Sequence, residues 1–125
     1  MNIEKKKILI VEDEPTLLKM LNEVLSEEGF VVEEAKDGKE GLEKALKTHP
    51  DLILLDILMP DMDGIEMAQE LRKDEWGKDA KILVLSNLSS MEDVQKALEN
   101  DIFEYIVKSD VSMDSVINRV KEITG

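Results

Sequence analysis

The 125-residue chain contains no cysteine, which excludes disulfides and thiolate metal sites alike. No apolar run is long enough to cross a bilayer, and the opening "MNIEKKKILIVEDE" lacks the apolar segment and cleavage site of a secretory signal. Positive charge is in short supply: 16 Lys and Arg stand against 29 Asp and Glu, for a formal net charge of −13. Nucleic acid and anionic membranes repel such a chain, so neither direct nucleic-acid binding nor membrane insertion is expected. Histidine occurs once, and no linker, low-complexity tract or second domain is visible. The simplest reading is one cytoplasmic domain over residues 1–125, long enough to bury a sizeable core.

What the chain does have is five short apolar runs rich in Ile, Val and Leu: "KILIV" (7–11), "FVVEEA" (30–35), "LILLD" (52–56), "KILVLS" (81–86) and "FEYIVK" (103–108). They read as strands. Helical stripes lie between them. The first comprises Leu17, Leu18, Leu21, Val24 and Leu25, stopped by Gly29. Leu42, Ala45 and Leu46 give a second, closed by His49-Pro50, and Ile65, Ala68, Gln69 and Leu71 a weaker third. Val94, Ala97 and Leu98 mark a fourth, with Ser89 or Ser90 as N-cap; Val116, Ile117, Val120 and Ile123 mark a fifth, opened near Ser112. The alternation predicts an α/β fold, (βα)5, with a doubly wound parallel sheet covered on both faces. Strands 1, 3 and 4 are apolar on both faces and should be central, whereas Glu33 and Glu34 place the second at an edge.

In a doubly wound sheet, ligands bind outside the carboxyl ends of the strands, where strand order reverses. The first strand ends in Glu12-Asp13-Glu14 and the third in Leu55-Asp56, so adjacent strands would gather Glu12, Asp13 and Asp56. Three carboxylates repel unless a cation joins them, and oxygen-only ligands with room for water suit Mg²⁺. Asp56, otherwise a charge in an apolar strand, then reads as a metal-site acid or a nucleophile. Ser86 ends the fourth strand and Lys108 the fifth, adding a hydroxyl and a cation. Around one carboxylate these groups suit a tetrahedral dianion and would stabilise a phosphoryl group in transfer.

"ILIVEDE", "LILLDILMPDMDG", Ser86 after the fourth strand and Lys108 after "YIV" together resemble the receiver domain of two-component response regulators, over essentially the whole chain. The resemblance implies a five-stranded flavodoxin-like sheet in the order 2-1-3-4-5. It implies that Asp56 takes a phosphoryl group from the phosphohistidine of a sensor histidine kinase or histidine phosphotransfer protein. Asp13, Asp56 and the backbone carbonyl of Leu58 would hold Mg²⁺, with Glu12 assisting through water. Lys108 would pair with the phosphoryl oxygens and Ser86 would hydrogen-bond them. Tyr105 matches the family's switch aromatic, remodelling the face made by the fourth predicted helix, the fifth strand and the fifth predicted helix. That face would signal to a downstream protein, and a phosphorylation-dependent homodimer is a further expectation. Such a protein catalyses its own phosphorylation and slow dephosphorylation without turning over external substrates.

Four positions depart from the pattern or tune it. Ser109 stands where the family usually has a proline joined by a cis peptide; for a non-proline that bond costs about 2.5–4 kcal/mol, so a trans Lys108–Ser109 peptide is expected. Asn87 replaces the usual small residue after Ser86. Leu58 and Leu88 flank the path of the hydrolytic water in the family, and neither can orient a nucleophile. A slowly hydrolysing phosphoprotein follows.

Competing readings are weaker. A degenerate receiver, acting as a phosphorylation-independent interaction module, draws support from Ser109 and Asn87. An aspartate-nucleophile phosphohydrolase needs a second acid two residues after Asp56, where Leu58 stands. A dinucleotide-binding protein needs a glycine fingerprint, and "VEDEPT" has none. A calcium loop at "MPDMDGIEMAQE" fails because Met59 occupies its first ligand position. His49 reads as a helix-end residue beside the dipole, Glu14 as first-turn helix chemistry beside Pro15, Asp37-Gly38 as a turn and the seven methionines as core filler. Trp76 is expected in the loop before the fourth strand, packed partly on the surface. No effector follows the fifth helix, which leaves a stand-alone receiver or a piece of a longer chain as open alternatives.

Overall fold

Apolar runs without polar alternation need cover on both faces, and residues 8–11, 52–55 and 82–84 are buried throughout. The computed structural model describes residues 5–55, 64–86, 104–107 and 112–124, of which 64, 65, 85, 86 and 104–107 are described by backbone alone. The order along the chain is β1 (Lys7–Val11), α1 (Pro15–Glu27), β2 (Val31–Ala35), α2 (Gly38–Thr48), β3 (Leu52–Leu55), α3 (Gly64–Arg72), a 3₁₀ turn (Gly77–Asp79), β4 (Ile82–Ser86), β5 (Glu104–Val107) and a C-terminal helix (Met113–Thr124). The strands pair in parallel in the order β2-β1-β3-β4-β5, as the flavodoxin-like expectation requires. The fourth predicted helix, around Val94, Ala97 and Leu98, lies outside the described residues. No described helix is long and apolar enough to cross a membrane.

Two cores flank the sheet. Leu9 and Val11 of β1 join Ile53, Leu55, Ile82 and Val84 beneath α2 and α3. Ile8 and Ile10 point the other way and join Leu52, Leu54 and Leu83 beneath α1 and the C-terminal helix. Successive side chains of a strand thus serve opposite layers. The predicted stripes largely hold: Leu18, Leu21 and Leu25 of α1, Ala45 of α2, Ala68 and Leu71 of α3, and Val116, Ile117, Val120 and Ile123 are buried. Leu46 and Gln69 are exposed instead, and Met67 takes the buried place in α3. Of the described methionines only Met67 fills the core completely, since Met20 is exposed and Met113 half-buried.

Helix ends follow local chemistry. Gly29, at φ +97°, turns the chain out of α1, while the Phe30 amide bonds back to the Leu25 carbonyl at 3.2 Å. β2 begins one residue later than the predicted run, at Val31, whose amide bonds to the Lys6 carbonyl at 2.9 Å. Asp37, read as a turn residue, is the N-cap of α2: its Oδ1 accepts from the Glu40 amide at 2.8 Å. Pro15 opens α1, but Glu14 is that helix's N-cap residue rather than part of its first turn, and its side chain makes no cap bond. His49 closes α2 in the left-handed region at φ 49°, and its ring stacks on Trp76 with centroids 4.4 Å apart and planes 9° apart. Trp76 is half-buried against the core beneath α2 and α3.

Candidate functional site

β1 leaves the sheet at Val11, and its register sets what stands beside it. Val11 pairs with Leu55 of β3 on one side and with Ala35 of β2 on the other. Chain order reverses between β1 and β3, the place where doubly wound sheets hold ligands. The next residue after Val11 is Glu12, and the next after Leu55 is Asp56. Leu55 pairs in turn with Val84, and Ser86 pairs with Val107, the residue before Lys108. Tyr105 pairs with Val84 inside β5.

The two acids at the end of β1 differ sharply. Glu12 is 2 % exposed, although an isolated buried carboxylate is costly. Its backbone amide donates to the Ala35 carbonyl at 3.0 Å, and its Oε2 accepts from the Glu14 amide at 3.3 Å. Asp13, one residue on, is exposed. One acid is therefore held by the fold and the other faces outward at the same strand end. A hard cation takes oxygen donors of this kind, and without cysteine no thiolate can compete for the site. Among the described residues no three potential ligands converge on one point. Asp56, Leu58, Asn87, Leu88, Lys108 and Ser109 lie outside the described residues, and Ser86 and Tyr105 are described by backbone alone.

Sequence reading missed what braces this strand end. Gly41 lets α2 close on β1: a β-carbon there would lie 2.8 Å from Val11 Cγ2 and 3.2 Å from Met67 Sδ. The Gly41 amide bonds to the Asp37 carbonyl at 2.9 Å, so the cap of α2 and its contact with Val11 are one unit. The spacing of Asp37 and Glu40, a capping pattern, was the available signal. A cavity of ≈ 220 Å³ opens at the opposite pole, among Lys6, Asp51, Trp76, Lys81 and Thr124. It is remote from the acid pair, because these residues precede β1, β3 and β4 or end the C-terminal helix.

Comparison with known proteins agrees with this geometry. The family model described as response regulator receiver domain matches residues 8–121. A probable transcriptional regulator ycf27 from Porphyridium aerugineum is 37% identical, covering 98% of this chain and 52% of its own. Hybrid signal transduction histidine kinase D from Dictyostelium discoideum is 40% identical over 95% of this chain and 8% of its own length. The chain spans about half the length, or less, of the first curated relatives it matches. Among solved structures, chemotaxis protein CheY4 of Vibrio cholerae superposes with a TM-score of 0.89 at 29% identity, covering 96% of this chain and 99% of that one. The response regulator TrrA of Thermotoga maritima, solved in complex with Mg²⁺ and BeF, gives 0.83 at 39% identity, covering 94% and 98%.

Proposed function

We propose that this chain, which belongs to the family of response regulator receiver domains, accepts a phosphoryl group on Asp56 and signals by changing shape. The observation that carries the reading is the end of β1: buried Glu12 and exposed Asp13 stand beside the strand that leads into Asp56. Glu12, Asp13, Asp56 and the Leu58 carbonyl offer only oxygen donors and fit Mg²⁺. When bound, the ion supplies positive charge against the acids and the phosphoryl oxygens.

In the transfer, an Asp56 carboxylate oxygen attacks phosphorus in line. The O–P bond forms as the P–N bond of the donor phosphohistidine breaks, and the leaving imidazole nitrogen takes a proton from solvent. A sensor histidine kinase or a histidine phosphotransfer protein is the donor. Lys108 pairs with the phosphoryl oxygens and the Ser86 hydroxyl donates to them. Tyr105 responds by turning, which alters the face around β5 and the C-terminal helix for a downstream protein or a second copy. Asn87 borders the phosphoryl position, and the apolar Leu58 and Leu88 leave the hydrolytic water unoriented, so the adduct is long-lived. The domain extends over residues 1–125 and acts in the cytoplasm.

Intact-mass spectrometry after incubation with acetyl phosphate and Mg²⁺ tests the reading. A labile phosphoryl adduct is expected on the native chain and not on Asp56→Asn. An adduct retained by the variant, or none on the native chain with either acetyl phosphate or a phosphorylated kinase, overturns it. The latter outcome would favour a phosphorylation-independent interaction module, the reading that Ser109 and Asn87 support.

A further inference from the structure

We propose that Lys44 closes the open edge of the sheet, and that without it a second copy of this chain adds there by pairing its own β2. A parallel strand turns the amide and carbonyl of alternate residues to opposite sides. The Val31 amide bonds to the Lys6 carbonyl and the Glu12 amide to the Ala35 carbonyl, so Val31, Glu33 and Ala35 face β1. Val32 and Glu34 therefore turn their backbone groups outward, and β2 is the outermost strand on this side of the sheet. Such a row is a template for another strand. Its residues suit pairing, since Val31 is 43% exposed and Val32 half-buried. A second copy fits best, because two identical edges are complementary about a twofold axis when laid antiparallel.

Two helices on opposite faces of the sheet converge on Glu34. From α1, Asn22 Nδ2 donates to Glu34 Oε2 at 2.6 Å, while Asn22 Oδ1 accepts from the Ser26 hydroxyl at 2.9 Å. From α2, Lys44 Nζ donates to the Glu34 carbonyl. That carbonyl is an outward acceptor, one of those an added strand needs.

Lys44 is itself held in place. Its ammonium pairs with Glu40 Oε1 at 3.1 Å, one turn earlier in α2, and the Glu40 amide is bonded by the Asp37 cap. A charged donor bonds a carbonyl more strongly than a neutral amide does, so an incoming strand cannot readily displace it. Burying the ammonium beneath that strand is costly as well. The cap of α2, the ion pair and the strand edge thus act as one closure.

Sedimentation velocity tests this without Mg²⁺ or a phosphoryl donor. Glu33 and Glu34 of two copies repel, so the comparison is made in about 0.5 M salt, where the screening length is short. Lys44→Ala should associate at least about tenfold more tightly than the native chain, whereas Lys44→Arg, which keeps a charged donor, should match the native chain. Adding Val32→Pro to Lys44→Ala removes an outward amide and no bond to β1, and should restore native behaviour. Amide exchange resolved by NMR locates the contact. In the native chain the Val32 and Glu34 amides should exchange faster than those of Glu33 and Ala35, and association of Lys44→Ala should slow them by about tenfold or more. A Lys44→Ala variant no more associated than the native chain overturns the proposal. So does association that survives Val32→Pro, or that leaves the Val32 and Glu34 amides unprotected. Should Val32→Pro fail to fold, exchange in Lys44→Ala alone decides.

Discussion

A β-carbon added at Gly77 would lie 2.0 Å from the Leu71 carbonyl oxygen and 3.0 Å from the Leu71 side chain. Neither neighbour can retreat easily: Leu71 is buried, and the Gly77 carbonyl is gripped by Arg72 at 2.6 Å. Gly77→Ala should therefore cost about 3 kcal/mol, the upper end of ordinary overpacking, read as a lowered urea midpoint. A loss below about 1 kcal/mol would show that the turn shifts freely. Leu58 and Leu88 belong to the same scale but to chemistry. Replacing them with Asn and Glu gives the water a polar partner, and decay of the phosphorylated protein should quicken by about tenfold or more. An unchanged decay would remove these residues from control of lifetime. Single residues were the hardest part to foresee. Asp37 looked like a turn residue because Asp-Gly serves both turns and caps, and Gly41 gave no sign that α2 would press on Val11.

Strands were legible as elements because burial on both faces leaves an unbroken apolar run, and β1 emerged with the expected bounds, Lys7–Val11. The order β2-β1-β3-β4-β5, which the family resemblance implied, sets the end of β1 beside that of β3, and Glu12 and Asp13 were legible as acids at that strand end. Contacts between connections were not legible, since nothing in the spacing of His49 and Trp76 says that their rings meet. That stack ties the α2–β3 connection to the α3–β4 connection. A double-mutant cycle with His49→Ala and Trp76→Ala should give a coupling of about 0.5–1.5 kcal/mol in unfolding free energy. Additive losses would reduce the stack to coincidence. The differing burial of Leu46 and Met67 has a similar origin, because periodicity marks a helix face without fixing how far a neighbouring element covers it.

At the scale of the whole molecule, a net charge of −13 on 125 residues means that the folded state repels itself. The described ion pairs are at least partly exposed, as in Lys44–Glu40 and Lys73–Glu70, and such pairs contribute about 0–1 kcal/mol each. Salt weakens them and the repulsion together, and with 29 acids against 16 bases the repulsion prevails. Raising ionic strength from about 0.01 to about 0.15 M should lift Tm by about 3–5 °C, followed by circular dichroism. A fall in Tm would mean that the pairs outweigh the excess of acids. Trp76, the sole tryptophan, adds a practical corollary: it is stacked on His49, before β4, while Glu12 and Asp13 follow β1 at the other end of the parallel strands. Its fluorescence is thus a gauge of whether the domain is folded, and events around Asp56 need a reporter installed elsewhere to become visible by emission.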